Sequence, residues 1–226
     1  MEEHVKNLQR ISPDIDEDVD NGGNVHDEGG EDVDNKDIVH DEGYEEQDDE
    51  EDQGGDGRKH GAALYDSEIM KIMKPYKRFL GVVASDRVYK LKPDANKDSA
   101  FIMNLDKYNK PGSHWIAVFI SPKKSKSIEY YNSFGEEPSM EFLKQMKKVI
   151  DRMGLDYLLK LKVNRIKKQA ERSSECGYYS MNFLMDRFKG LPFDDSTGYS
   201  DVMRSEGRIK RFRKMLKKRY PKFDFI

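Results

Sequence analysis

Residues Gln169 to Leu184 read QAERSSECGYYSMNFL, and the only cysteine of the chain, Cys176, stands where a polar loop gives way to a helical apolar pattern. Upstream, Ala170 to Glu175 is loop-like, with Ser173 and Ser174 as candidate caps. Downstream, Tyr178, Tyr179, Met181, Phe183, Leu184, Met185 and Phe188 run to a stop at Gly190 and Pro192. This predicts a mostly buried helix of about four turns. A thiol at its start faces unpaired backbone N–H groups and the positive end of the helix dipole, so its pKa is expected below the ordinary value. Gly177 leaves room for another group to approach the sulfur. A lone helical cysteine is more often an inert core residue; the rest of the chain decides otherwise.

Charge divides the 226 residues in two. Through Gly57 there are 23 acids against 3 bases, a net of −20; from Arg58 onward there are 20 acids against 37 bases, a net of +17. The acidic part is poor in large apolar side chains and repeats itself: DVDN and VHDEG at residues 18–29 return at residues 32–43. Such a stretch cannot bury enough surface to offset ordering, so residues 1–63 are expected to form a disordered low-complexity tail, with one folded domain over 64–226. A single cysteine excludes an intramolecular disulfide. No apolar run approaches membrane-spanning length, and Met1-Glu2-Glu3-His4 lacks the make-up of a signal peptide. An intracellular, non-secreted protein without membrane contact is expected, with nucleus or virion as possible settings.

Within the folded part, Glu68 to Met73 reads as a short amphipathic helix that Pro75 ends. Phe79 to Ala84 and Ala100 to Leu105 read as strands. His114 to Ser121, HWIAVFIS, is apolar on both parities, which predicts a central strand buried on both faces. A turn at Pro122 to Ser125 leads into SIEYYN at 127–132, its hairpin partner. Pro138, placed at the first helical position, opens a helix with Met140, Leu143, Met146, Ile150 and Met153 on one face, closed by Gly154. Leu158 to Val163 is a further strand, and a basic amphipathic helix spans about Glu206 to Arg219. Strands in the middle with helices at both ends give an α+β class.

Five histidines exist, but four lie in or beside the acidic stretch, leaving His114 as the histidine of the folded part. A thiol nucleophile needs a base, and the base needs an orienting group. His114 begins one strand of the hairpin and Asn132 ends the other, so the amide is placed to accept the Nδ1–H of the imidazole. Cys176, His114 and Asn132 then make one variant of the nucleophile–base–orienter triad. Gln169, seven residues before the cysteine, supplies an amide that with the Cys176 backbone N–H can form an oxyanion hole, worth about 3 kcal/mol per donor. A surface histidine, a turn asparagine and a solvated glutamine are the bland readings of each residue taken singly.

The ordered set His114-Trp115, YYNSFG at 130–135, Gln169 and ECGYYS at 175–180 resembles the adenovirus-type proteases and the wider clan of ubiquitin-like-protein-specific proteases. GVVASDR at 81–87 and AFIMNLD at 100–106 look more like the viral branch. The resemblance implies a papain-like α+β fold. It implies a cysteine endopeptidase with Cys176 as nucleophile, His114 as base, Asn132 as orienter and Gln169 in the oxyanion hole. Trp115 would wall a groove that admits a glycine-containing substrate. Most relatives carry Asp where this chain has Asn132, so Asn132→Asp is expected to keep or raise activity.

The implied substrates are viral or mobile-element precursor proteins. The alternatives are removal of a ubiquitin-like protein and, in another class, an inactive nucleic-acid-binding module. No cofactor is expected beyond DNA or a peptide as activator, and a monomer is expected. The basic surface, with Lys144, Lys147, Lys148 and the run Arg208 to Arg219, favours a polyanion such as DNA.

Overall fold

The computed structural model describes residues 11–13, 64–198 and 201–221. The chain divides into two units, Met1–Asp14 with Lys59–Ile226, and Ile15–Arg58, the second wholly outside the described residues. Of the stretch read as an acidic tail, only Ile11–Pro13 is described, as a short strand β1.

The elements that follow are α1 (Asp66–Met73), β2 (Phe79–Ala84), β3 (Ser99–Asn104), β4 (Trp115–Ser121) and β5 (Ser127–Tyr131). After them come α2 (Met140–Met153), β6 (Leu159–Val163), α3 (Cys176–Phe188), α4 (Phe193–Thr197) and α5 (Val202–Arg219). Among the described residues the strands form one six-stranded mixed sheet in the order β1-β6-β5-β4-β3-β2. The hairpin of β4 and β5 is antiparallel, with Ser121 opposite Ser127 and Ala117 opposite Tyr131. β3 also runs antiparallel to β4, whereas β2 pairs with β3, β6 with β5 and β1 with β6 in parallel.

β4 is central, and the period of two along it builds two cores. Ile116, Val118 and Ile120 face Phe142, Met146, Val149 and Ile150 of α2. Ala117 and Phe119 face the other layer, where Ile69 and Ile72 of α1, Tyr178, Met181 and Leu184 of α3, and Ile209 and Leu216 of α5 assemble. The product is a helix–sheet–helix sandwich of α+β type. Because a hairpin returns the chain, the start of β4 and the end of β5 lie at one end of the sheet. His114 and Asn132 therefore share it.

Helix ends differ from the sequence expectation where side chains outside the local pattern supply the cap. Ser139, whose hydroxyl accepts from the Phe142 N–H at 3.2 Å, caps α2, and Pro138 precedes the cap instead of opening the helix. The buried face of α2 is turned accordingly: Phe142, Gln145, Met146, Val149 and Ile150 are inside, while Met140 is 56% exposed. Gly154 ends α2 in the left-handed conformation, as its position predicts. α1 starts at Asp66, where Glu68 accepts the Tyr65 N–H at 2.7 Å. α5 starts at Val202, capped by Asp201. The loop after α3 carries the short α4.

Candidate active site

The sheet end that holds His114 and Asn132 also receives the head of α3. Ser180 Oγ donates to the Trp115 carbonyl at 3.2 Å, which fixes α3 on the first residue of β4. The backbone N–H groups of Trp115, Gly177 and Cys176 itself draw the pKa of the Cys176 thiol down. The head of α3 thus packs against the residue that directly follows His114. Gly177 has a packing reason: a Cβ there would stand 3.1 Å from Leu64 Cδ1 and 3.2 Å from Trp115 Cδ1. Trp115, half-buried, donates its indole N–H to the Leu64 carbonyl at 2.9 Å.

His114 Nε2 lies 2.9 Å from Asn132 Oδ1. An amide oxygen only accepts, so Nε2 carries the hydrogen and Nδ1 is the ring nitrogen left without one. The sequence reading placed the other nitrogen on Asn132. Which nitrogen bonds depends on ring rotation; Phe134 holds the plane of the imidazole by stacking on it at 4.8 Å between centroids, inclined by 28°. Asn132 Oδ1 also accepts from the Phe134 N–H at 2.9 Å, and Asn132 Nδ2 donates to Glu136 Oε2 at 3.3 Å.

The electrostatics overturn the expectation of a lowered thiol pKa at rest. Burial pushes the Cys176 thiol up, against the downward pull of the three backbone N–H groups, because only 6% of the residue is exposed. Burial likewise holds His114 below the ordinary imidazole value, opposed by the Asn132 hydrogen bond and the Glu136 charge. The helix N-terminus acts as anticipated, but desolvation outweighs it. Glu175 occupies the N-cap position, without a side-chain cap bond, in place of Ser173 or Ser174. Arg213 of α5 approaches Glu175 at 3.5 Å.

Gln169 is fully buried in the loop before α3. Its Oε1 accepts from Ser133 Oγ at 2.6 Å and its Nε2 donates to the Ser173 carbonyl at 2.6 Å. Sequence reasoning quoted Ser133, Phe134 and Gly135 inside a motif but gave them no task, and it passed over Glu136 and Leu64. Adjacency to Asn132 was the available signal for the first four; Leu64 lies far away in sequence and left none. Among the described residues no group of three or more His, Cys, Asp or Glu is arranged to hold a metal ion, and no helix is long and apolar enough to cross a membrane.

The family model for the Ulp1 protease family, C-terminal catalytic domain, matches residues 85–222. The chain is 32% identical over 150 residues to "Putative thiol protease R355" of Acanthamoeba polyphaga mimivirus, covering 57% of this chain and 48% of that protein. It is 30% identical over 117 residues to "Cysteine protease S273R" of African swine fever virus (isolate Tick/Malawi/Lil 20-1/1983), covering 50% of this chain and 42% of that one. The crystal structure of the ASFV pS273R protease superposes with a TM-score of 0.47 at 21% identity, over 62% of this chain and 61% of the other. The chain spans about half the length of the curated relatives it matches. By the match over most of its folded part, the chain belongs to the Ulp1 protease family, in that family's C-terminal catalytic domain.

Proposed function

We propose that the chain is a cysteine endopeptidase of the viral, adenovirus-like branch, and that it cleaves precursor proteins at glycine-containing sites. Cys176 attacks the scissile carbonyl after passing its proton to His114 Nδ1. Asn132 holds the imidazole, and the Gln169 amide with the Cys176 N–H receives the oxyanion. The imidazolium then protonates the leaving amine, and His114 activates the water that releases the acyl group. The observation that carries the reading is the 2.9 Å bond from His114 Nε2 to Asn132, at the sheet end where the helix that begins at Cys176 is held on Trp115. The thiol-protease names of the viral relatives support the class of reaction.

A second reading, removal of a ubiquitin-like protein, is favoured by relatives from African swine fever virus whose name is "SUMO-1 cysteine protease S273R". Trp115 walls the substrate groove in either case. The exposed side of α5, with Lys210, Arg211, Lys214, Lys217, Lys218 and Arg219, supports a polyanion as an accessory partner. The test is a time course of wild type beside Cys176→Ala on two substrates, a linear polypeptide with internal glycine pairs and a Gly-Gly-ended ubiquitin-like fusion. Thiol-dependent cleavage of the linear substrate supports the endopeptidase, and cleavage of the fusion alone supports the second reading. No cleavage of either by wild type counts against both.

A further inference from the structure

We propose that Glu136 is a positioning residue for His114 and Asn132: it fixes the Asn132 amide with its oxygen toward the imidazole and supplies the negative charge that a neutral orienter lacks. The inference rests on the catalytic reading of His114 and Cys176 above.

Asn132 is 1% exposed, and its side chain is engaged at both ends. Oδ1 accepts from His114 Nε2–H and the Phe134 N–H, each at 2.9 Å, and Nδ2 donates to Glu136 Oε2 at 3.3 Å. Rotating the amide by half a turn would set its NH₂ against two donors and its oxygen against a carboxylate. All three bonds would become repulsive, so the orientation is determined.

The carboxylate is delivered by a built loop. Gly135 has φ of 75°, and a Cβ on it would stand 2.8 Å from the Arg165 carbonyl oxygen and 2.9 Å from the Lys167 nitrogen. That close approach docks the turn after β5 onto the loop before α3. The Ser133 carbonyl accepts from the Lys168 and Gln169 N–H groups at 2.8 and 3.1 Å, and Arg165 holds Glu137 at 2.6 Å. The backbone at 136 is fixed on both sides although its side chain is exposed.

The charged or titratable groups around the pair are Cys176 from α3, Tyr130 from β5, and Glu136 and Glu137 from the turn. Glu137 is engaged by Arg165. Glu136 is the carboxylate whose charge raises the pKa of His114 against burial.

Asn132→Asp makes Glu136 dispensable in this scheme. A carboxylate at 132 loses the donor to Glu136 and sets two negative groups side by side, one of which must hold a proton or turn away. Replacing Glu136 by Gln at the same time restores a donor to the new acid. The exposed Glu136 is the group that can turn away, and the new acid supplies the charge at the imidazole itself, so Glu136→Gln should cost nothing in that background.

The full chain is tested without any substrate, by the rate of Cys176 alkylation with iodoacetamide against pH and by the His114 ring signal in an NMR titration. Glu136→Gln should lower the His114 midpoint by about half a unit to one unit and slow alkylation near neutrality by roughly 3- to 10-fold. Glu136→Asp should retain part of the effect. Asn132→Asp should alkylate at least as fast as wild type, and adding Glu136→Gln to it should slow it no further. An unmoved His114 midpoint in Glu136→Gln, or the same slowing by Glu136→Gln in the Asn132→Asp background as in wild type, overturns the inference. His114→Ala separates it from the reading beneath: if that change leaves alkylation untouched, both fall; if it slows alkylation while Glu136→Gln is silent, only the inference falls.

Discussion

Glu129 and Arg187 meet as a two-pronged ion pair inside the protein, with Arg187 Nε 2.5 Å from one carboxylate oxygen and its Nη2 2.9 Å from the other. Glu129 is fully buried on β5, where Ser127 Oγ also donates to it at 3.1 Å. Arg187 lies over Phe119 and donates to the Leu191 carbonyl. Burial pushes the Glu129 carboxyl up while its arginine partner pulls it down. The pair joins the strand that leads to Asn132 to the far end of the helix that starts at Cys176.

Removing one partner strands the other. Arg187→Met leaves a buried carboxylate and should cost about 3–5 kcal/mol of stability. Adding Glu129→Leu should recover most of that loss, because the desolvation penalty disappears with the charge. Urea midpoints of the single and double variants decide it; a double variant as unstable as the single would contradict this account.

Gly177 is required by close approach, not by its dihedral angles. Ala there must displace Leu64 and Trp115 slightly, since both lie at 3.1–3.2 Å from the added carbon. A helical Gly→Ala change gains roughly 0.8–1 kcal/mol of propensity, so global stability should change little. The displaced ring belongs to the residue that follows His114 and packs on the head of the Cys176 helix, so Cys176 alkylation should slow. Gly177→Val should lose both stability and reactivity. Unchanged alkylation in Gly177→Ala would detach the Trp115 contact from thiol reactivity.

The two perturbed groups of the site shape stability with pH in opposite directions. His114 is held below its ordinary value near 6.5, so the unfolded chain takes up its proton first. Its contribution is present above that value and is lost as pH falls toward the folded pKa. Cys176 is held above its ordinary value near 9.0, so the folded chain keeps its proton longer. Its contribution is present below that value and is lost as pH rises through the folded pKa. Urea midpoints across both limbs should show His114→Gln flattening the acid side alone and Cys176→Ser the alkaline side alone. Parallel curves for wild type and His114→Gln would remove the burial argument for the histidine.

The parts of the fold that were legible in the sequence are those whose signal is local. WIAVFIS is apolar on both parities and is buried on both faces, and SIEYY pairs with it across a five-residue turn. The Cys176 helix and the Gly154 stop follow from an apolar run and a glycine. The resting thiol was not legible, because the dipole effect is local whereas the burial that outweighs it comes from strands and helices distant in sequence. The same holds for the ring nitrogen facing Asn132, and for Leu64, which reaches the site from the start of the folded part. Pattern predicts which residues converge; packing decides their protonation and orientation.

Gln169 offers the sharpest separation of roles within the site. Its amide is clamped from both sides, by Ser133 Oγ on Oε1 and by the Ser173 carbonyl on Nε2, each at 2.6 Å. An NH₂ group has two hydrogens, so the Ser173 bond leaves one that can serve an oxyanion. Gln169→Glu keeps the shape and the bond from Ser133, but it removes both hydrogens and adds a charge that repels the oxyanion. Its kcat should fall by about 10²–10³-fold. Ser133→Ala should lower kcat less, through a loosened amide, with KM nearly unchanged. Iodoacetamide alkylation forms no oxyanion, so Gln169→Ala should lose proteolysis while Cys176 still alkylates at close to the wild-type rate. If alkylation and proteolysis fall together in that variant, Gln169 acts on the thiol or on folding, and the oxyanion assignment is wrong.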